Sequence, residues 1–247
     1  MSLVDDNIQW DSLVDRQLRQ WQEKEEKQKS REKSVCPWDT AHLTISRAYG
    51  ARGYRIGQLV AEKLHWQVYS RSLVEYIAER SNLRQKVVAD FDEKKKSRTL
   101  SQTLFEPSSY SSDKHYRHLV QVILSLADHG RAVIVGRGAN FITDRQNGLH
   151  VRVTASLDAR IKRYANKEKV SFKAAKRKVE SVDKDRADYI KHYFHQDPEE
   201  PHHYDLVINV EHFTNEQVAD MIISAMEVKF NAPRPMAPDE DSSCDEE

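Results

Sequence analysis

The chain has 247 residues, enough for one α/β domain with a full core and flanking tails. Its 39 basic and 39 acidic side chains balance, which gives no support for general nucleic-acid binding. The sequence lacks a long apolar run, a signal-peptide pattern, and any metal or redox spacing at Cys36 and Cys244, which predicts a cytoplasmic protein without a membrane partner.

The first predicted element is a charged helix over residues 7–35. Its apolar stripe has helical spacing and consists of Trp10, Leu13, Val14, Leu18 and Trp21. The stripe is expected to pack on the domain or on a second copy of the chain, so a homo-oligomer through this helix is open. A nucleic-acid-binding arm is the weaker alternative, because Glu and Lys alternate after the stripe.

A strand, a glycine-containing loop and a helix follow over residues 43–64. The β-branched run Leu43–Ser46 leads into the loop, and apolar residues from Ile56 to Leu64 recur at helical spacing. This order places backbone N–H groups and a helix N-terminus around an anion. The polar and glycine positions of the loop are Ser46, Arg47, Gly50, Arg52, Gly53 and Arg55. A tight turn with solvated arginines is the structural alternative.

The remaining chain alternates short strands with helical stretches. Strands are predicted at 67–70, 132–135, 149–156 and 205–210, and a last helix at Thr214, where Gln217 completes a capping box. Single strands separated by helices predict an α/β fold with a parallel sheet covered on both faces. The folded domain is expected over 41–230, between a helix and linker at 1–40 and a disordered acidic tail at 231–247.

Two further segments carry candidate site residues. Arg137 stands between Gly136 and Gly138 directly after a buried strand, where its guanidinium can bind a phosphate. Arg186 continues the apolar stripe of a long basic helix, formed by Phe172, Ala175, Val179 and Val182, and Asp183 lies one turn earlier. A carboxylate partner for Arg137 and an intrahelical ion pair for Arg186 are the structural alternatives.

The histidines do not predict a metal site. His202 and His203 are adjacent, and His192 and His195 are three residues apart, without a zinc-type spacing or a cysteine partner. No metal ligand is therefore assigned from the residues.

From about Thr44 to Val228 the chain resembles the cytidylate kinase-like family of P-loop nucleoside monophosphate kinases. The motifs that carry the resemblance are LTISRAYGARGYRIG, VIVGRGANFI, VDKDRADYIKHYF and YDLVIN. The resemblance implies a three-layer P-loop kinase-like fold with a five-stranded parallel sheet. It also implies a helical monophosphate-binding insertion at about 69–129 and a lid at about 164–194.

The resemblance further implies ATP and Mg²⁺ as cofactors and assigns site roles. The residues that it assigns to binding of the donor phosphates are Ser46, Arg47, Gly50, Ala51, Arg52, Gly53, Tyr54, Arg55 and Arg163. Those that it assigns to binding of the acceptor are Arg137, Asp183 and Arg186. Gly53 stands where cytidylate kinases have the phosphate-loop lysine, and Arg55 stands near their magnesium-binding hydroxyl. Arg52 or Arg55 is the expected substitute cation, and Arg186 is expected to stabilise transition-state charge.

Two functions are consistent with these residues. The first is an ATP-dependent phosphotransferase acting on a nucleoside monophosphate or a related small phosphorylated acceptor. The second is a catalytically degenerate kinase-fold protein that binds a nucleotide or phosphorylated ligand as a sensor or partner-binding module.

Overall fold

A computed structural model describes residues 10–21, 23, 36–94 and 114–234 of the chain. The strands are β1 (His42–Arg47), β2 (Gln67–Tyr69), β3 (Ala132–Val135), β4 (Gly148–Thr154) and β5 (Leu206–Asn209). The helices are α1 (residues 10–21), α2 (Pro37–Thr40), α3 (Gly53–Leu64), α4 (Arg71–Glu79), α5 (Ser81–Lys94), α6 (Lys114–His129), α7 (Ala139–Ile142), α8 (Leu157–Glu168), α9 (Phe172–Phe194) and α10 (Asn215–Phe230), with a 3₁₀ turn at Pro201–His203.

The strands form one parallel sheet in the order β2-β3-β1-β4-β5. Each predicted strand is present within one or two residues of its expected ends, and the five-stranded α/β fold is confirmed. The predicted capping box also forms, since the Thr214 side chain accepts from the Gln217 N–H and the Gln217 side chain accepts from the Thr214 N–H.

Two apolar layers cover the sheet. Val133 and Val135 of β3 pack with α3 and α10 on one face, while Ala132 and Ile134 pack with α4 and α6 on the other. This alternation follows from the two-residue period of a strand, and the apolar runs reflect a sheet that is buried on both faces. The carboxyl ends of β1, β3 and β4 thus lie together at one edge of a rigid platform.

Helix α1 packs on the domain. Val14 and Trp21 are buried, Trp10 contacts the Tyr76 ring at 5.0 Å, and the Trp21 ring stacks on His129 at 3.7 Å. The apolar stripe therefore packs on the domain of its own chain. A homo-oligomer through this helix stays a prediction, and the packing of the stripe gives it no support.

The division of the chain into a helix and linker, a domain and a tail stays a prediction. Trp38 is buried, and its indole N–H donates to the Ala232 carbonyl at 3.1 Å, so the core reaches beyond the expected limits of 41–230. Most of the predicted acidic tail lies outside the described residues. Among those that are described, no helix is long and apolar enough to cross a membrane.

The residues predicted to form a lid, about 164–194, lie in α8, in α9 and in the turn between them. Ala175 and Val179 are buried against Ile161 of α8, as their stripe predicted. Phe172 does not follow that prediction, because it is the first residue of α9 and its residue surface is 49% exposed.

Candidate functional site

A polar cleft of about 410 Å³ opens where β1, β3 and β4 end, between the sheet and lid helix α9. Six basic and three acidic residues line it, so the cleft carries an excess of positive charge. The basic residues are Arg47, Arg71, Arg137, Arg152, Lys178 and Arg186, and the acidic ones are Asp183, Asp185 and Glu199. Of the predicted site residues, Ser46, Arg47, Arg137, Asp183 and Arg186 are brought together here.

The loop between β1 and α3 has the geometry of an anion site. Gly50 adopts φ +83°, and Arg52 at the N-cap is also left-handed, with φ 64°. The N-terminus of α3 has no side-chain cap hydrogen bond, so its first N–H groups are left for a ligand or water. The loop can therefore accept phosphate oxygens along the α3 axis.

Arg47 is the most unfavourably placed charge of the cleft. Its guanidinium packs against Gly136, where φ is +92° and an added Cβ would meet the guanidinium, so a side chain at this position would be strained. Within the part of the chain that the structure describes, it has no carboxylate partner. Burial, followed by repulsion from Arg186, Arg71, Arg137 and Arg152, lowers the pKa of Arg47 to about 9. An anionic ligand would supply the missing counter-charge.

Arg137 is held in a strained conformation. It has φ 56° between Gly136 and Gly138, and a left-handed non-glycine residue costs roughly 1–2 kcal/mol. The guanidinium forms an ion pair with Glu75 and lies 4.9 Å from the Tyr189 ring centre, while its buried Nε has no hydrogen-bond partner among the described residues. Arg137 thus has the carboxylate partner that was the structural alternative. The ion pair still leaves N–H groups of the guanidinium that can donate to a ligand in the cleft.

Helix α9 contacts the loop between β1 and α3 through Asp183 and Arg186. One Asp183 oxygen accepts from the Tyr49 N–H at 2.7 Å, and the other forms an ion pair with Arg160. Arg186 donates to the Arg47 carbonyl at 3.0 Å and lies over the Tyr49 ring at 5.2 Å. Burial lowers the pKa of Arg186. These two side chains therefore bind the loop rather than each other.

The predicted substitute cations lie away from the cleft. Arg52 donates to the carbonyls of Val210 and Phe213 at 2.5 and 2.8 Å, which fixes the loop to the end of β5. The Arg55 side chain is 52% exposed and lies 3.5 Å from Glu62. Their role as substitutes for the lysine stays a prediction, and in this geometry neither guanidinium lines the cleft.

The other predicted donor-side residues surround the loop. Ala51 is fully buried beneath it, Tyr54 is half exposed on α3, and Gly53 packs on the Arg47 side chain. Arg163 donates to the Gly50 carbonyl at 3.3 Å, so its guanidinium lies beside the loop.

The cleft residues that were not identified from the sequence include Arg71, Asn140 and Arg152. Asn140 is nine-tenths buried and its side-chain NH₂ has no partner among the described residues. Arg152 had a usable signal, because a charged residue in the middle of a strand covered on both faces needs an anionic partner. Arg71 had none, since its place depends on how α4 returns along the sheet.

The residues present fit the phosphates of ATP better than they fit Mg²⁺. The uncapped α3 N-terminus and Arg163 can hold donor phosphates. In the described ranges no group of three or more His, Cys, Asp or Glu side chains could hold a metal, and both Asp183 oxygens are engaged. A bound Mg²⁺ would thus depend on ligands from the nucleotide itself.

This fold and this cleft define a kinase-like, nucleotide-binding α/β protein. The sequence profile of the cytidylate kinase-like family matches residues 42–212, and the chain belongs to that family. No curated protein matches the chain.

Three solved structures were compared with the chain. An uncharacterized protein from Eubacterium ventriosum ATCC 27560 is 24% identical, with a TM-score of 0.62 over 76% of this chain and 99% of that one, which shows a shared fold. Shikimate kinase from Bacteroides thetaiotaomicron has a TM-score of 0.42 at 14% identity, covering 76% and 98% of the two chains. Shikimate kinase from Acinetobacter baumannii, in complex with shikimate, has 0.42 at 13%, covering 77% and 96%.

Proposed function

We propose that the chain is an ATP-dependent phosphotransferase whose acceptor is a nucleoside monophosphate or a related small phosphorylated compound. The observation that carries the proposal is Arg47, a partly buried guanidinium at the end of β1 that has no carboxylate partner among the described residues. An enzyme that brings two phosphate groups together needs such uncompensated charge at the point where they meet.

The cleft supports a division of roles. The loop from Ser46 to Arg55 and the α3 N-terminus would hold donor phosphates, with Arg163 beside them. Arg137 and Arg186, which line the cleft together with Arg47, would bind the acceptor phosphate. ATP supplies the transferred phosphoryl group, and a phosphate acceptor is already a nucleophile near neutral pH. Positioning and charge stabilisation by the arginines are therefore what the chain contributes.

The alternative is a nucleotide-binding protein without phosphoryl transfer. Two observations favour it: the lysine position is Gly53, and the Tyr49 N–H of the phosphate loop already donates to Asp183. Turnover would require that Asp183 leave Tyr49 before it can orient an acceptor, whereas a sensor could use the same contact as its ligand-free state.

Two measurements separate these functions. Thermal shifts with a nucleotide panel, with and without Mg²⁺, report the ligand class. ADP release with CMP, dCMP, UMP and AMP as acceptors then reports transfer. We expect Arg186→Met to abolish transfer and Arg177→Met, on the exposed face of the same helix, to leave it intact. If ATP binds but no acceptor gives turnover above background, the protein is a binding module and not a kinase.

The cellular setting stays as the sequence predicts it. We propose a cytoplasmic protein whose partner is a nucleotide or small phosphorylated substrate, without a membrane or nucleic-acid partner. The balanced net charge of the chain supports the last point.

A further inference from the structure

A second polar group lies on the β4 side of the cleft. Arg152 of β4 stands beside Ser46 of β1 in the strand register, and its Nη1 donates to the Ser46 Oγ at 2.9 Å. The Tyr204 ring lies 5.8 Å from the guanidinium carbon, and the Tyr204 OH lies 3.3 Å from the same Ser46 Oγ. These three side chains are here called the Arg152 group. Arg152 and Tyr204 have no role in the proposed transfer, and Ser46 joins them to the first residue of the loop assigned to the donor phosphates.

The counter-ion of the Arg152 group comes from the surface. Arg152 forms an ion pair with Glu199, yet its side chain is 8% exposed and that of Glu199 is 71% exposed. Glu199 lies in the segment between the end of α9 and the 3₁₀ turn, outside regular structure. A buried guanidinium needs an anion, whereas an exposed carboxylate returns to water at little cost. An anionic group of a ligand can therefore take the place of Glu199.

The charge balance of the cleft agrees with such an exchange. Its six basic residues face the three acidic residues of the lining and also Glu75, which pairs with Arg71 and Arg137, so two positive charges are uncompensated. A phosphate monoester carries about two negative charges at neutral pH and balances them. When Glu199 returns to water, one further positive charge is uncompensated, and a second acidic group of the ligand would balance it.

We propose that the Arg152 group is a second anion subsite, and that the acceptor carries a second acidic group, a carboxylate or another phosphate, besides the phosphate held by Arg137. Glu199 occupies the subsite in the ligand-free protein and leaves when the acceptor binds. The inference rests on the proposed function for its first subsite. It narrows the acceptor to doubly acidic compounds.

The test uses two matched pairs of probes with the full chain and isothermal titration calorimetry. Glycerol 3-phosphate is compared with 3-phosphoglycerate, which adds a carboxylate, and CMP with cytidine 3′,5′-bisphosphate, which adds a phosphate. A hydrogen-bonded charge contributes about 1.5–3 kcal/mol, so the doubly acidic member of one pair should bind roughly tenfold more tightly or better. The pair that shows this preference identifies the source of the second acidic group.

Variants then assign the preference to the subsite. Arg152→Met should remove it, and Glu199→Gln should increase it several-fold because the internal competitor is lost. Glu200→Gln, a neighbouring carboxylate that lies 3.6 Å from His202 and outside the cleft, should leave it unchanged. If Arg152→Met does not fold, the exposed position Glu199 still decides the matter. An unchanged preference in Glu199→Gln overturns the subsite.

The two proposals fail in different ways. Binding of the singly acidic probes that is lost in Arg137→Met, with no preference in either pair, overturns only the second subsite. If no probe of either pair binds the wild-type chain, both the subsite and the proposed phosphotransferase are wrong.

Discussion

Replacing Arg47 by methionine should stabilise the ligand-free protein while it weakens anion binding. The fall of the Arg47 pKa from the ordinary arginine value to about 9 corresponds to about 5 kcal/mol against the charged form in the folded protein. Solvent screening reduces the share of this energy that contributes to the free energy of unfolding. We therefore expect Arg47→Met to raise the free energy of unfolding by about 1–3 kcal/mol. A residue that is costly to the fold is thus retained for the ligand.

The assay is urea unfolding at pH 7.5 in a buffer without phosphate or sulfate, with Arg137→Met as the matched control. Arg137 is paired with Glu75, so its loss leaves this partly buried carboxylate with the more exposed Arg71 in place of two arginines, and should destabilise the protein by about 1–3 kcal/mol. Added phosphate should stabilise the wild type and have little effect on Arg47→Met.

The pH dependence has a defined sign. The pKa of Arg47 is lower in the folded protein than in the unfolded chain. The destabilisation of the fold by the charged guanidinium is therefore complete below pH 9, and it declines as the pH rises from 9 toward the ordinary arginine pKa. The stability advantage of Arg47→Met should therefore shrink between pH 9 and 10.5. If Arg47→Met destabilises the protein as much as Arg137→Met does, Arg47 is a favourable structural residue and the interpretation of the cleft is wrong.

Two further predictions concern a buried histidine and a site glycine. His150 is fully buried, and burial lowers its pKa to about 4, so the stability it contributes should be present above pH 6.5 and decline as the pH falls toward 4. His150→Gln should flatten this decline, by up to about 3 kcal/mol, in denaturant titrations, and an equally steep decline would assign it to other groups. Gly136→Ala should cost at least about 1–2 kcal/mol, since φ is +92° and a methyl would collide with Arg47. In an Arg47→Met background that cost should be smaller, and equal costs in both backgrounds would exclude the collision as its cause.

The fold was predictable because its signals are local. β3 is a short apolar run directly between a helix and a glycine, and the capping box at Thr214 is a pattern of four residues. Arg137 was predictable at the cleft for the same reason, since a residue that follows a buried strand in a parallel sheet lies at the ligand edge.

The partners of the site residues were not predictable in the same way. That Arg52 would bind the carbonyls of Val210 and Phe213 depends on how the end of β5 comes beside the loop, about 160 residues away along the chain. Asp183 and Arg186 share a helix face, which suggested an intrahelical pair. Both reach the loop instead, because α9 lies across it.

The Asp183 contact makes the Tyr49 amide a probe of how α9 is held. Its N–H donates to the Asp183 carboxylate at 2.7 Å. Exchange of this amide proton with solvent therefore requires the contact between α9 and the loop to break, so the protection of one backbone amide measures how often that contact opens. A ligand that accepts a hydrogen bond from the same N–H requires the same opening.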